Sequence, residues 1–590
     1  MRQFDTLTSF LLSKTSDATK SPLVSVEGSA TVGDEGNAAW KFNGITGQTP
    51  SQSPEQLGGG LANDASGNQY DMVYSGFYNL KAFGITGAAD ETAILQAAFN
   101  ALSDGQTLDL NGESVIIQNT FITANNVTIK NGKIIGHTDL NGVMLYITGD
   151  NVHILNMRSY IDGLASAVSK GTITFFETSG GSVTKCYLEG GRRFGTNNNV
   201  ANMVCAAKCS DVIITDNVFF EAHFVEMVQL ESSLNCVVSN NTMSSTGLAY
   251  SAIATTDNVY TIGGESGHVI SNNTCTNYDT SIITVNTHGV TVTGNVVDTS
   301  GTEQGINLGH IGTGGAQDST VTGNTVNNCA GAGILLADSE NTVVSGNTIR
   351  NCGEAGIESS STPSGIITGN FITDIGDGVT GDGVKLSSSI ASSFTVTGNT
   401  FKNIEGNGVS IFGSIVDCIV TNNHFTDINT GGFGGGRFPV SASFDAVILP
   451  ESLVFDGNTV TGTSTTNRVV SVANSQVNMI VSISNNVIPA ITTTAQLWFT
   501  SSGGSPTNRT ISKNKISTDP MIGSVNILNG ATSVIVSNAN QTPFHSPVII
   551  NSSAETARIL TYVSSFGTGT FTISSRLSTL SDALVYYEIL

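Results

Sequence analysis

A chain of 590 residues with 39% hydrophobic residues can build a large core, yet only 12% of it is charged, about half the usual share. Acidic residues outnumber basic ones 46 to 23, and the net charge of −23 speaks against nucleic acid or an anionic membrane as partner, since both are engaged through Lys and Arg. With 66 Gly and only 11 Pro, the surface must be covered by Ser, Thr, Asn and Gly, which suits a β-solenoid and not a disordered chain.

At the N-terminus, residues 1–20 lack the basic, apolar and small-residue succession of a secretory signal. No apolar run approaches the roughly 20 residues of a membrane span, so no membrane insertion is expected. The eight Cys are scattered, in keeping with synthesis in a reducing cytoplasm. Residues 1–80 read as a head or attachment region, with "VEGSATVGDEGNAAWKFNG" followed by a Gly-rich turn. Residues 81–104 contain a helix with Asp90 as N-cap and Ile94, Leu95, Ala98, Phe99 and Leu102 on one face. Such a helix would cover the open end of a solenoid, whose first repeat otherwise exposes core.

From about residue 105 to 525 a short pattern recurs: alternating β-branched and small polar residues, then Gly/Asn-Asn, then a further apolar residue. It reads "VIITDNVF", "VVSNNTM", "VISNNTC", "VTVTGNVV", "TVTGNTV", "VVSGNTI", "IITGNFI" and "TVTGNTF". The key residues are Asn217, Asn241, Asn273, Asn295, Asn324, Asn347, Asn370, Asn399, Asn423, Asn458, Asn486 and Asn514, spaced 22 to 35 apart. That period predicts a parallel β-helix, and alternation of period two gives strands with one face in and one out. Each Asn is expected at the same corner of its coil, satisfying buried backbone and stacking on the next Asn. Extrapolated back, Cys186, Asn156 and Asn131 fall at that corner. Cys329 and Cys352 hold one place in successive repeats and read as stacked thiols. Cys205 and Cys209 have no second pair in register, so no metal site and no cofactor is expected. Residues 526–590 read as short alternating strands of a separate β-domain.

The stretch "GDEGNAAWKF…YSGFYNLKAFGITGAADETAILQAAFNAL" together with the coils resembles the head and capping helix of bacteriophage tailspikes with a pectate-lyase-like right-handed parallel β-helix. The resemblance spans roughly residues 25–525. It implies an all-β, single-stranded solenoid closed by a C-terminal β-domain and assembled as a homotrimer. It also implies a virion tail protein, joined to a phage tail or baseplate component or to another spike, that binds and usually cleaves capsule or O-antigen polysaccharide.

Glycosidic hydrolysis needs a general acid and a base or nucleophile, normally two carboxylates. Sugar binding adds aromatic faces and planar polar groups. Residues 185–231 hold 10 charged residues in 47, about 21%, against 12% overall. Glu189, Arg192 and Arg193 stand just past one corner, and Glu221 and His223 hold the similar place one coil later, with Tyr187 and Tyr250 nearby. Glu226, Gln229 and Glu231 lie on the following strand, Gln229 and Glu231 opposite in parity to Val228 and Leu230. Glu221 or Glu226 is the expected acid and another nearby carboxylate the base, with Glu189 among the catalytic candidates. Arg192, Arg193, His223, Tyr187, Gln229 and Tyr250 are the expected substrate contacts. A second candidate site groups Glu358, Lys385, Asp377 and Asp382 in the middle coils. His288 in "NTHGV" reads as a turn residue. Two other readings stay open: a lyase acting on a uronate-containing glycan, and a non-catalytic adhesin.

Overall fold

The computed structural model describes residues 2–4, 7–11, 23–26, 38–46, 48–49, 51–53, 61–73, 76–85, 87, 89–137, 140, 142–161, 171–190, 202–220, 226–256, 267–299, 303–309, 315–376, 381–428, 439–444, 452–461, 468–475 and 480–488. Beyond these it describes strand segments 497–503, 508–512, 515–516, 521–527, 533–537, 547–552, 561–567, 570–575 and 583–589. The chain divides into two units, Met1–Gly301 and Thr302–Leu590.

The first unit begins with a five-stranded sheet, in the order Arg2–Phe4, Leu23–Val26, Ala38–Phe42, Gln69–Met72 and Leu61–Asn63. Phe10, Trp40 and Tyr70 are its buried aromatic core, with Phe10 edge-on to Tyr70 at 5.1 Å. A helix then runs over Thr92–Asn100 and buries Ile94, Leu95, Ala98 and Phe99, the face its spacing predicts, against the first coil. The cap differs from expectation by one residue. Glu91 occupies the cap position, its side chain turned to the Gly87 N–H at 2.7 Å, while Asp90 takes the Thr92 N–H at 3.0 Å from one residue further out. Partial burial would push the Asp90 carboxyl up, but the bonds from Thr92 and Gln118 hold it below its usual value.

The described coils present three sheet positions that pair in parallel with their counterparts one coil away, and neighbouring positions in places merge into one long strand. In the first unit one coil runs Ile213–Thr215, Val218–Phe220 and Glu226–Glu231, and the next opens at Val237–Ser239. In the second unit a coil runs Thr342–Ser345, Thr348–Cys352 and Ala355–Ser360, and the next opens at Ser364–Thr368. These positions are called first, second and third sheet below. Alternation drives the fold: Ile214, Val238, Phe219, Met243, Val228 and Leu230 point inward and are fully buried. Each such burial contributes roughly 1.5–3 kcal/mol. In the second unit Phe401 and Phe425 stack face to face at 4.8 Å inside adjacent coils.

The corner between first and second sheet explains the repeated motif. Its first residue is left-handed in every repeat: Asp216, Asn240, Asn272 and Gly294 in the first unit, then Gly323, Gly346, Gly369, Gly398, Asn422, Gly457 and Asn485 in the second. Gly, Asn and Asp tolerate that backbone best. The second residue is the buried Asn. The Asn241 Oδ1 accepts the Asn217 N–H at 3.0 Å, and its Nδ2 donates to the Ile214 carbonyl at 2.9 Å. The ladder continues through Asn273 to Asn295, and within the second unit from Asn324 through Asn347, Asn370, Asn399, Asn423 and Asn458 to Asn486. Asn514 lies outside the described residues. Cys186 holds the ladder position, its Sγ accepting the Met157 N–H at 3.4 Å. Asn156 and Asn131 do not. They are the left-handed residues of their corners, at φ 51° and 59°, and Met157 and Gly132 follow them into the ladder row.

Parallel coil strands continue to Lys515–Ile516. After them the second unit forms two antiparallel three-stranded sheets, the first ordered Met521–Ile527, Ala583–Ile589, Pro547–Ser552. The second is ordered Ser533–Ser537, Thr570–Ser575, Thr561–Gly567.

Candidate functional site

The outward face of the third sheet in the first unit carries a row of aromatic rings. Phe121 and Tyr146 are partners in register, and Phe176 lies one coil further and two residues along. Centroids are 5.8 Å apart for Phe121–Tyr146 and 5.7 Å for Tyr146–Phe176, the latter pair stacked. Lys208 holds its ammonium 5.3 Å from the Phe176 centroid and 3.1 Å from Glu177 Oε1. These rings are outward because their neighbours Leu145, Ile147 and Phe175 have the inward parity and are buried.

The row passes through Cys205 to Gln229, whose Oε1 accepts from Asn202 Nδ2 and whose Nε2 donates to Thr256 Oγ1 at 3.5 Å. Val228 and Leu230 are inside, while Gln229 and Glu231 face outward and are half-buried. At the start of this strand the alternation breaks, since Met227 and Val228 are both buried. The Tyr278 hydroxyl donates to the Met227 Sδ at 3.0 Å and anchors the irregularity. Glu226 is thereby left half-buried at the strand's edge, opposite Ser251 of the next coil. Burial pushes its carboxyl up, outweighing a bond from its own N–H. A carboxyl so displaced holds its proton more readily than an ordinary one, the direction a general acid needs.

The other expected residues fall on more than one face. Tyr187 and Glu189 belong to the second sheet, where Glu189 sits in register between Tyr160 and Phe220 and the Lys133 ammonium lies 5.8 Å from the Tyr160 centroid. Tyr250 is exposed between the second- and third-sheet portions of one long strand, Thr242–Thr256, at an irregularity in pairing. Glu221, His223, Arg192 and Arg193 lie outside the described residues, as do residues 257–266. His288 is exposed and sits between left-handed Asn286 and Gly289, a turn residue. Cys205 and Cys209 are buried, and burial raises the Cys205 thiol to about 12. Among the described residues no group of three or more His, Cys, Asp or Glu could hold a metal ion.

In the second unit the structure brings Glu358, Lys385 and Asp382 together. Glu358 and Lys385 are register partners on the outward face of the third sheet, and their side chains meet at 2.8 Å. Asp382 Oδ1 accepts the Asn407 N–H at 2.7 Å, and Asn407 Nδ2 donates to Ser410 Oγ at 2.9 Å. Burial would lower the Lys385 ammonium, but Glu358, with Glu354 and Asp382, raises it above its usual value. Lys385 is therefore a firm cation and a poor general base. Asp377 lies outside the described residues.

Beside this network, between second and third sheet, a cleft of about 390 Å³ is lined by Cys329, Cys352, Asp374, Asn403 and Glu405 among others. The Asn403 Nδ2 donates to Asp374 Oδ1 at 2.6 Å. A Cβ on Gly376 would lie 2.4 Å from Glu405 Oε2, so this glycine makes room for the carboxylate. Neither this cleft nor the aromatic row was read from the sequence. The available signal for the row was coil phase, counted back from the corner at Cys186.

A model of the family described as right handed beta helix region matches residues 227–372 and 309–441. Over those residues the parallel coils are the right-handed β-helix that this description names. No curated protein sequence matches it. Among solved structures, a tailspike protein double mutant of E. coli bacteriophage HK620, in complex with a pentasaccharide, is 13% identical over 91% of this chain and 98% of its own, with a TM-score of 0.49. Full-length tailspike protein 2 from Escherichia coli O157:H7 bacteriophage CAB120 is 14% identical over 76% of this chain and 52% of its own, TM-score 0.34. The enzymatically active domain of bacteriophage CBA120 tailspike protein 2 gives 13%, 74%, 63% and 0.33. What those proteins bind or cleave is a property of those proteins. No helix among the described residues is long and apolar enough to cross a membrane.

Proposed function

We propose that this chain is a phage tailspike that binds a bacterial surface polysaccharide, capsule or O-antigen, and hydrolyses it by an endo mechanism. It works as a homotrimer carried on the virion tail, attached to a tail or baseplate component or to another spike. The resemblance of the head and capping segment supports the tailspike assignment. The observation that carries the chemistry is Glu226, a half-buried carboxyl with a raised pKa on the same sheet as an outward-facing aromatic row. Glu226 is the general acid in this reading. Glu231 cannot be its partner, because five residues of strand separate them by roughly 16 Å, beyond the spacing of either hydrolytic geometry. Glu221 is proposed as the base or nucleophile, with Glu189 the other catalytic carboxylate candidate of this region, and Arg192, Arg193, His223, Tyr187, Gln229 and Tyr250 contact substrate. Glu358 and Asp382 form the alternative catalytic pair.

The test is release of reducing ends from purified capsular and O-antigen polysaccharides. Glu226→Gln should lower kcat at least 100-fold with little change in KM. If Glu221→Gln and Glu226→Gln both cleave at the wild-type rate while Glu358→Gln or Asp382→Asn does not, the site moves to the second unit. Ultraviolet absorbance from an unsaturated uronate would identify a lyase instead. Tight binding with intact polysaccharide after long incubation would identify an adhesin.

A further inference from the structure

Cys329 and Cys352 occupy the same row of two adjacent coils. The pairing Thr325↔Thr348, Val326↔Ile349 and Asn327↔Arg350 runs directly into them, and the Gly353 N–H closes the register on the Cys329 carbonyl at 2.9 Å. Both side chains are buried, at 3% and 0% exposure. The two thiols are neighbours, and each has a carbonyl of its own strand within reach of its single hydrogen, Asn327 at 3.7 Å for Cys329 and Arg350 at 3.5 Å for Cys352. Glycines back them. A Cβ on Gly305 would lie 2.9 Å from the Cys329 Sγ, and one on Gly333 would lie 3.1 Å from the Cys352 Sγ. The sulfurs therefore fill space that any larger residue at either glycine would take.

Cys275 stands between Met243 and Val297, Cys418 between Phe394 and Leu453, and Cys205 beside Gln229. Coils roughly 4.8 Å apart place the two Cα atoms inside the roughly 4.4–6.8 Å range that a disulfide spans. Both residues also line the 390 Å³ cleft.

We infer that Cys329 and Cys352 are an oxidative modification site, at which a hydroperoxide small enough to enter the cleft links the two coils through a disulfide. The steps balance. One thiol attacks hydrogen peroxide, the O–O bond breaks, and a sulfenic acid and one water form. The second thiol then displaces the sulfenic hydroxyl as a second water, forming the S–S bond. Two sulfurs are oxidised by one electron each and the peroxide is reduced by two. The hydrogen bond to Cys329, followed by burial, holds the Cys352 thiol well above its usual value. Reaction is therefore slow, and the pair stays reduced in a cytosol and is oxidised on prolonged exposure outside one.

The experiment uses the full folded chain, reduced, desalted and incubated with hydrogen peroxide. After quenching and unfolding, free thiols are alkylated with iodoacetamide and the digest is read by mass spectrometry. Six of the eight cysteines should carry label, and one peptide pair should join Cys329 to Cys352 with the loss of two hydrogens. Cys352→Ala should show seven labelled cysteines and no link. Eight labelled cysteines in the wild type would overturn the inference. So would sulfinic or sulfonic acids at these positions without a link, or equal yield of the link when the chain is unfolded before peroxide is added.

Discussion

Asn347 stands one coil from Asn324 and accepts two hydrogen bonds from it on a single oxygen, from the backbone N–H at 2.9 Å and from Nδ2 at 3.0 Å. The Asn347 Nδ2 in turn donates to the Val321 carbonyl and to Asn370. A solenoid corner turns the backbone inward where no strand can pair with it, and this side chain supplies the missing partners.

Replacing Asn347 with Ala should therefore cost about 2–4 kcal/mol, because it strands a buried N–H, a buried carbonyl and the amide of Asn324 together. Chemical unfolding of the second unit is the measurement. The neighbouring Gly346 provides the contrast. Its φ is 62° and a Cβ there would meet nothing within 4 Å, so Gly346→Ala should cost only about 1–2 kcal/mol of backbone strain. Gly346→Asn should be nearly neutral, since Asn240, Asn272, Asn422 and Asn485 adopt the same turn.

Acid should loosen the first unit through His268. The imidazole is fully buried, its Nδ1 accepts the Cys236 N–H at 3.1 Å, and burial lowers its pKa from 6.5 to about 4. The unfolded chain binds a proton at about 6.5 that the folded chain refuses until about 4. Its stabilising contribution is thus complete above that window and falls as pH drops through it, by roughly 3 kcal/mol in all. His268→Asn should flatten this slope between pH 6.5 and 4 in urea midpoints measured across the range.

Polysaccharide affinity should depend on the aromatic row. Tyr146→Ala or Phe176→Ala should weaken binding about 2- to 13-fold, equivalent to roughly 0.5–1.5 kcal/mol per ring lost. Lys208→Met should have a smaller effect, as its ammonium is exposed. Calorimetry with the polysaccharide that the wild type recognises, using non-cleaving Glu226→Gln as background, would measure each change. Unaltered affinity in both ring variants would remove this face from the binding surface.

The coil architecture was legible because Gly/Asn-Asn repeats carry two demands at once, a left-handed turn and a buried amide. Where only one demand shows, the reading slips by a residue. Asn131 and Asn156 meet the first demand, and nothing in "KNGK" or "LNMR" says that the following Gly132 or Met157 occupies the ladder row. The helix face of Ile94, Leu95, Ala98 and Phe99 was readable for the ordinary reason of periodicity. Charge density drew attention to residues 185–231, but density along the chain does not assign sheets, and Glu189 and Glu226 lie on different ones. Phe121, Tyr146 and Phe176 escaped notice because they come from three coils ahead of the first clear repeat. Only register, not composition, makes neighbours of them.

After the first coil, where four residues separate Asp109 from Ser114, the corner after the first sheet takes two residues throughout the described coils: Thr215 to Val218, Ser239 to Thr242, Ser345 to Thr348, Thr421 to His424. The intervals at the other two corners vary widely, so the solenoid has one edge of fixed gauge and two that tolerate insertion. Segments can therefore be exchanged along those two edges without shifting the phase of any coil. A protein built this way can acquire new specificity through grafted segments while inheriting its frame intact.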